Sequence, residues 1–511
     1  MTTAIVSGRY FIVDTDQVIP SGAAFIRDGV IVNVGPAEAI NRKYTADIHL
    51  GSDEHLVSPG FVNAHGHGRG ITDFQLGTLD DTLENWKFRS YPPIDLYYDI
   101  FWRAILLLES GVTTTMHNHN LNNPAEPAAE FATLLAAYRQ AGIRVAFAPT
   151  LVERNLFVYG DDAGFISSLP PSVRPLAEEY ARKTASFGSE QYFAAVDTLR
   201  RESSSDRVRI MHGPMSPQWC SDESLQRIKA DADRHGMKIH THLLQTYLQK
   251  TYGLKTYGKS LLAHMADIGC LGPNVVCGHC VWLTEDDIGL MAATGTAVTH
   301  HPGCNLRIRN GIAPVYELRQ KGVKVGIGID DKGFADSKDF IEEMRLVSKL
   351  HRVTSHRLAS DHLRPADCFR MGTAEGAAVL GYDDITGALT PGRRADMVLV
   401  NLRRIEEPFL FSGHSCLDAL IYRGRGSDVD MVLVDGEVVV RGGRYVRHDR
   451  QEIISKLRET IPADYSDEFI RRYEQLEGLR HSIINYYTQH DWYSDLAPGN
   501  FSPYYGLNST D

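Results

Sequence analysis

No stretch of this chain approaches the roughly 18 consecutive apolar residues of a membrane-crossing helix, and its mean hydropathy is −0.24. Positive charge is not in excess. The 53 Lys and Arg face 64 Asp and Glu, a formal net charge of −11, so no general basic field exists to hold a nucleic-acid polymer. Cysteine is scarce: 7 in 511 residues. An odd number thinly spread excludes a disulfide framework and suits a reducing cytosol. The opening Met1-Thr2-Thr3-Ala4-Ile5-Val6 lacks the charged front and apolar core of a secretory signal, so a cytoplasmic protein is expected. Fixed-period repeats and low-complexity tracts are also missing. With 43% hydrophobic and 23% charged residues, disordered, collagenous and coiled-coil chains are excluded. What is plentiful is histidine, 21 in all.

Both ends of the chain read as short strands with turn punctuation. Apolar runs at 10–13, 23–26 and 30–35 mark the first end, and 396–400, 431–434 and 437–440 the second. Asp435-Gly436 is a strong hairpin turn. A composite β-sandwich from 1–58 and 385–447 is therefore expected. Between them, residues 59–384 alternate apolar strands (144–148, 208–211, 237–240, 274–277, 296–299, 323–327) with amphipathic stretches (126–141, 222–235, 285–294, 312–321). Such succession predicts an α/β protein whose parallel strands close into a (β/α)8 barrel. Alternation alone leaves a doubly wound open sheet as the other possibility. The extension 448–511 holds helical segments at 450–460 and 466–488 and is rich in aromatics, including Tyr486-Tyr487, Trp492-Tyr493 and Tyr504-Tyr505. These are expected to pack on the body or on a partner subunit of a homodimer or larger homo-oligomer.

The histidines collect at strand ends. Alternation in Phe61-Val62-Asn63-Ala64-His65-Gly66-His67 puts Phe61, Asn63, His65 and His67 on one face. Two imidazoles two residues apart can converge on one ion. His240-Thr241-His242 repeats the spacing, Gly278-His279 ends another strand, and Ile329-Asp330-Asp331 ends a fourth in a carboxylate. Barrel enzymes place their chemistry at this end. There His65, His67, His242 and Asp330 would form a mixed N/O metal site with a position open for water. Elsewhere, His117 and His119 line the pocket or hold a second metal, His240 is an interior residue, and His212 and His300 sit at the mouth. Trp86, Trp102 and Trp219 serve either as an aromatic wall or as core.

Several motifs in order resemble the amidohydrolase superfamily, and within it the cytosine-deaminase and triazine-hydrolase-like branch. They are Ser58-Pro59-Gly60-Phe61-Val62-Asn63-Ala64-His65-Gly66-His67, Gly111-Val112-Thr113-Thr114-Thr115, Ser216-Pro217-Gln218-Trp219-Cys220-Ser221, Gly278-His279-Cys280-Val281-Trp282, His301-Pro302-Gly303-Cys304-Asn305-Leu306 and Gly387-Ala388-Leu389-Thr390-Pro391-Gly392. The resemblance implies that His65, His67, His242 and Asp330 ligate one divalent metal, zinc first and iron, manganese or cobalt as alternatives. Two-metal members carry a bridging lysine on the fourth strand, and 208–213 has none. It also implies that His279 bonds the attacking water or substrate oxygen, while Asp330 can take the water's proton. Gln218, Trp219, His300, Asn305 and Asp331 join His117 and His119 as pocket-lining candidates.

One position departs from the pattern. Deaminases of this branch have glutamate three residues after the fifth-strand histidine, and this chain has Gln245. An amide cannot relay a proton, although it can hydrogen-bond a carbonyl. The expectation is therefore a hydrolase that cleaves a C–N bond of a small neutral amide, urea or carbamate, phenylurea-like or thiocarbamate-like compounds included. A deaminase or chlorohydrolase acting on an N-heterocycle is the alternative. A non-catalytic scaffold is disfavoured by the intact ligand positions. Neither nucleic acid nor membrane is an expected partner.

Overall fold

The computed structural model describes all residues except 1, 78–80, 89–91, 93, 331–336, 353–361, 463–465 and 494–511. Both chain ends meet in one nine-stranded mixed sheet. Its pivot is His55–Pro59, which runs parallel to Thr3–Ile12 and antiparallel to Met397–Asn401, with Val57 opposite Leu399. Val6, Phe11, Ile26, Val57, Met397, Leu399 and Leu433 bury into one apolar cluster drawn from both ends. The turn between Val429–Val434 and Glu437–Arg441 is made by Asp435 and Gly436, both at positive φ (51° and 75°). That is the conformation a two-residue hairpin turn requires.

From Pro59 the chain passes straight into the second body. Gly60 makes the passage because a Cβ there would lie 2.1 Å from the Thr113 hydroxyl. Eight parallel segments follow. Phe61–Asn63, Val112–His119, Arg144–Leu151 and the pair Val208–Ile210/Gly213–Pro214 form one half-sheet. Ile239–Leu243, Val275–His279, Ala297–His300 and Val325–Ile327 form the other. The halves join at both seams: His240 N–H donates to His212 O at 2.8 Å, and Ala64 N–H to Ile327 O at 2.8 Å. Closure at two seams makes this a (β/α)8 barrel and excludes an open sheet.

Helices form where local signals are complete. Ser221 caps Asp222–His235 and Gly236 ends it in the left-handed region, while Thr284 and Asp287 make a capping box for Glu285–Thr294, ended by Gly295. The stretch expected at 312–321 is helical only over Val315–Gln320, because Pro314 sits at its N-cap. The extension forms helices Arg450–Glu459 and Asp467–Gln489. Tyr487 and Trp492 are buried against Tyr159 of the same chain, with ring centroids 6.0 and 6.3 Å away. Tyr504-Tyr505 lies outside the described residues. No described helix is long and apolar enough to cross a membrane.

One buried cation ties barrel to sheet. Arg144, in a barrel strand, is fully buried; its Nε and Nη2 donate to Asp396 at 2.7 and 2.9 Å, its Nη1 to Asp206 O at 2.7 Å, and it pairs with Asp435. Deleting one partner of a buried pair leaves a desolvated charge. Asp396→Ala should therefore lower stability by about 3–5 kcal/mol, read as a lower thermal midpoint. Breaking the more exposed Arg9–Glu406 pair with Glu406→Gln should cost under about 1 kcal/mol.

Candidate active site

The strand Phe61–Asn63 is only three residues long, so alternation does not carry through to His65. Phe61 packs on Phe340 and Phe369, with ring centroids 6.1 and 6.5 Å away, while His65 and His67 turn to the opposite side, toward His240 and His242. The expected common face of Phe61, Asn63, His65 and His67 is thus corrected. Asn63 instead acts as a brace: its Oδ1 accepts from Ile329 N–H at 2.8 Å, and Asp330 N–H donates to His65 O at 3.2 Å. These bonds bring Asp330 opposite the two histidines.

Ring orientation is fixed from behind. His67 Nδ1 donates to Asn118 O at 2.9 Å and His242 Nδ1 to Met215 O at 2.7 Å, which turns both Nε2 atoms inward. His67 Nε2 lies 3.2 Å from His242 Nε2 and 3.3 Å from Asp330 Oδ1, and His65 Nε2 is also 3.3 Å from that oxygen. His65 Nε2 and Asp330 Oδ1 are buried without a hydrogen bond. Donors around a tetrahedral zinc at about 2.0–2.1 Å stand ~3.3–3.4 Å from one another. The pairs His67–His242, His65–Asp330 and His67–Asp330 match that spacing. His65, His67 and His242 gather donor atoms within 4.8 Å of one another, as do His65, His279, His301 and Asp330, and each of the four expected ligands could hold a divalent cation.

Electrostatics agree with a neutral His242 and His279 near an anion. Burial lowers His242 well below its usual range, and the neighbouring His65 and His67 add to the effect. Burial would raise Asp330, but His65, His67 and His279 hold its carboxyl well below the usual carboxylate range. Cys304 Sγ donates to Asp330 Oδ2 at 2.9 Å. His279 has Nδ1 on Asn305 Oδ1 at 2.8 Å, while its Nε2 faces Asp330 Oδ2 at 3.6 Å. Burial brings His279 down to about 4, against the pull of Asp330. Leu244, His279, Cys280 and Asp330 all have φ between 47° and 70°, a strained set of the kind that gathers at functional sites.

Other expected residues fall elsewhere. His117 and His119 face the helix Pro127–Ala141, where His119 bonds Glu130 at 2.6 Å and His117 the Tyr138 hydroxyl at 3.1 Å. They do not line the mouth, because the odd positions of Val112–His119 point outward there. His212 is likewise turned out, to Tyr192 and Asp231. His300 points outward to His351 at 3.3 Å. Its neighbour His301, which strand reading passed over, enters the cluster: its ring stacks on His65 at 4.1 Å and its Nδ1 lies 3.3 Å from His279 Nδ1. Alternation from Thr299, which bonds both His240 and His301, was the available signal. Asn305 orients His279. Gln218 is fully buried, with Oε1 taken by Ser216 at 2.6 Å and Nε2 unbonded. Trp219 Nε1 donates to Asn155 O at 3.0 Å. Gln245 is 3% exposed and its backbone N–H is held by Gln249 Oε1 at 2.8 Å. Asp331 lies outside the described residues.

Residues 56–439 match the amidohydrolase family. A 5-methylthioadenosine/S-adenosylhomocysteine deaminase of Desulforudis audaxviator is 30% identical over 451 residues, 86% of this chain and 94% of that protein. A 5'-deoxyadenosine deaminase of Methanosarcina mazei is 28% identical over 86% and 92% of the two chains. Among solved structures, a zinc-bound adenosine deaminase from Xanthomonas campestris aligns with a TM-score of 0.75 and 21% identity, covering 90% of this chain and 98% of that one. An atrazine chlorohydrolase from Arthrobacter aurescens, complexed with zinc, aligns at 0.73 and 21%, covering 90% and 100%.

These findings overturn the amide, urea and carbamate reading. Near-full-length likeness to deaminases of adenine-containing compounds favours the N-heterocycle alternative instead. The amide at Gln245 does not by itself decide the substrate class, because a proton route can be built from other side chains.

Two outcomes follow from the geometry. His67→Ala and His242→Ala should each reduce bound zinc at least about tenfold in elemental analysis of the purified protein, while His300→Ala and His119→Ala should leave it unchanged. Burial also holds His351 at about 4 instead of 6.5. Its unfolded form takes a proton first, so its contribution to stability is whole above pH 6.5 and lost as pH falls toward 4. The thermal midpoint should drop across that window, less steeply in His351→Asn.

Proposed function

This chain belongs to the amidohydrolase family, and from that premise we propose that it is a metal-dependent aminohydrolase that removes the exocyclic amino group of an adenine-type nucleoside as ammonia. The carrying observation is the buried cluster of His65, His67, His242 and Asp330, in which the pairs His67–His242, His65–Asp330 and His67–Asp330 lie 3.2–3.3 Å apart. The names of the relatives support the substrate class. In this proposal those four residues hold one zinc ion, which when bound lowers the pKa of water and polarises the bond under attack.

The remaining steps belong to the protein. Asp330, kept anionic by its imidazole neighbours, accepts a proton from the attacking water and returns it to the leaving amine. His279, neutral near pH 7, gives its Nδ1–H to Asn305 Oδ1, which leaves Nε2 to accept a hydrogen bond from the attacking water or the new hydroxyl. Gln245 offers its amide to the ring edge. Gln218 Nε2 is a buried donor open to a polar group of the substrate.

With zinc supplied, ammonia should be released from 5'-deoxyadenosine, methylthioadenosine or S-adenosylhomocysteine, and His279→Asn should lower kcat by about 10²–10⁴-fold. Chloride release from a chlorotriazine without ammonia release from any nucleoside would replace this reading with the chlorohydrolase one.

A further inference from the structure

The deamination proposed above needs a side chain that can give the ring nitrogen a proton and later recover one. The amide of Gln245 cannot do this. A carboxyl that can lies beside it. Glu84, in the one-turn helix Leu83–Trp86, is 3% exposed. Its Oε1 receives the Thr246 hydroxyl and, at 3.1 Å, the Tyr159 hydroxyl. Thr246 follows Gln245 directly and caps the helix Tyr247–Tyr257, whose Gln249 holds the Gln245 N–H. Glu84 is therefore hydrogen-bonded to the residue that directly follows the one departing from the family's pattern.

The groups facing Glu84 come from four parts of the chain. Lys87 lies on the next turn, Tyr159 in the segment after the third barrel strand, Thr246 at the helix cap, and Tyr487 and Tyr493 in the C-terminal extension. Lys87 does not simply neutralise the carboxylate. Its Nζ donates to Leu156 O at 2.9 Å and lies over the Phe88 and Trp219 rings at 4.9 and 5.2 Å. Burial lowers Lys87 to about 8. Burial likewise pushes Glu84 up, against the opposing Thr246 bond and Lys87 charge. A buried acceptor for two hydroxyls has no need of an ionisable group, since a glutamine oxygen would serve.

We propose that Glu84, acting through the Thr246 hydroxyl, is the positioning residue that holds and returns the proton which Gln245 cannot carry. The proposal rests on the deaminase reading. Protons balance as follows. Water gives one proton to Asp330, and its oxygen bonds the ring carbon. With its hydroxyl turned from Glu84 toward the ring nitrogen, Thr246 passes its proton on and takes one from the protonated Glu84 carboxyl. The hydroxyl of the adduct then returns its proton by the same path to Glu84 as the C=O bond forms. The C–N bond breaks, and the amine leaves as ammonia with the proton held by Asp330.

The test compares wild type, Glu84→Gln, Gln245→Glu and the double variant in zinc-loaded enzyme, by kcat and KM for ammonia release. Glu84→Gln should lower kcat about 10²-fold or more with KM changed under about threefold. The double variant should regain kcat to within about tenfold of wild type, with the alkaline limb of its pH profile displaced. Thr246→Val should reproduce the loss if Glu84→Gln folds poorly. Active wild type with an unimpaired Glu84→Gln variant, or a loss that Gln245→Glu does not restore, overturns this proposal alone. Wild type that releases no ammonia from any of the nucleosides overturns the deaminase reading and this proposal together.

Discussion

A carboxylate stripped of water and surrounded by imidazoles is the constraint on which the rest of the molecule depends. Asp330 is 2% exposed, and His65, His67, His279 and His301 all lie within 4 Å of its oxygens. Placing that anion in a protein interior is costly unless positive charge meets it. The imidazoles are themselves buried, and those of His242, His279 and His301 are driven toward neutrality. A divalent cation held among these donors would supply that charge. The barrel's closure, the brace from Asn63 to Ile329 and the carbonyls behind His67 and His242 all serve to bring those donors together.

Much of the architecture is legible in the residues. The helices Asp222–His235 and Glu285–Thr294 begin and end where caps and glycines stand, because those signals are local. The two-ended sheet is legible for a different reason: β-rich texture at both ends with a long alternating middle leaves few other arrangements. The site residues at strand ends are visible for the same reason. What alternation could not supply was the direction of side chains where a strand stops. His65 departs from it because its strand ends at Asn63. His300 leaves its expected place at the mouth because the fourth position of Ala297–His300 points away from the axis, and His301 enters the cluster instead. His117 and His119 illustrate the same limit, since an HxH pair carries no sign of which face it occupies.

Gln245 illustrates a limit of another kind. A single substitution in a motif describes what one side chain cannot do, whereas the reaction is decided by every group within reach. Glu84 stands 161 positions earlier in sequence, in a four-residue helix without amphipathic pattern, and only folding brings it to Thr246. The extension follows a similar logic. Tyr487 and Trp492 close over Tyr159, which bonds Glu84, so this added segment is packed into the same corner as Glu84. The family match stops at residue 439, before either aromatic.

The central claim is that His65, His67, His242 and Asp330 share one zinc ion. Zinc K-edge X-ray absorption on the purified protein tests it most directly. Three imidazole nitrogens and one carboxylate oxygen at about 2.0–2.1 Å, with room for water, are the predicted first shell. A sulfur scatterer at about 2.3 Å, which would place Cys304 on the metal, or a shell with a single imidazole would contradict it.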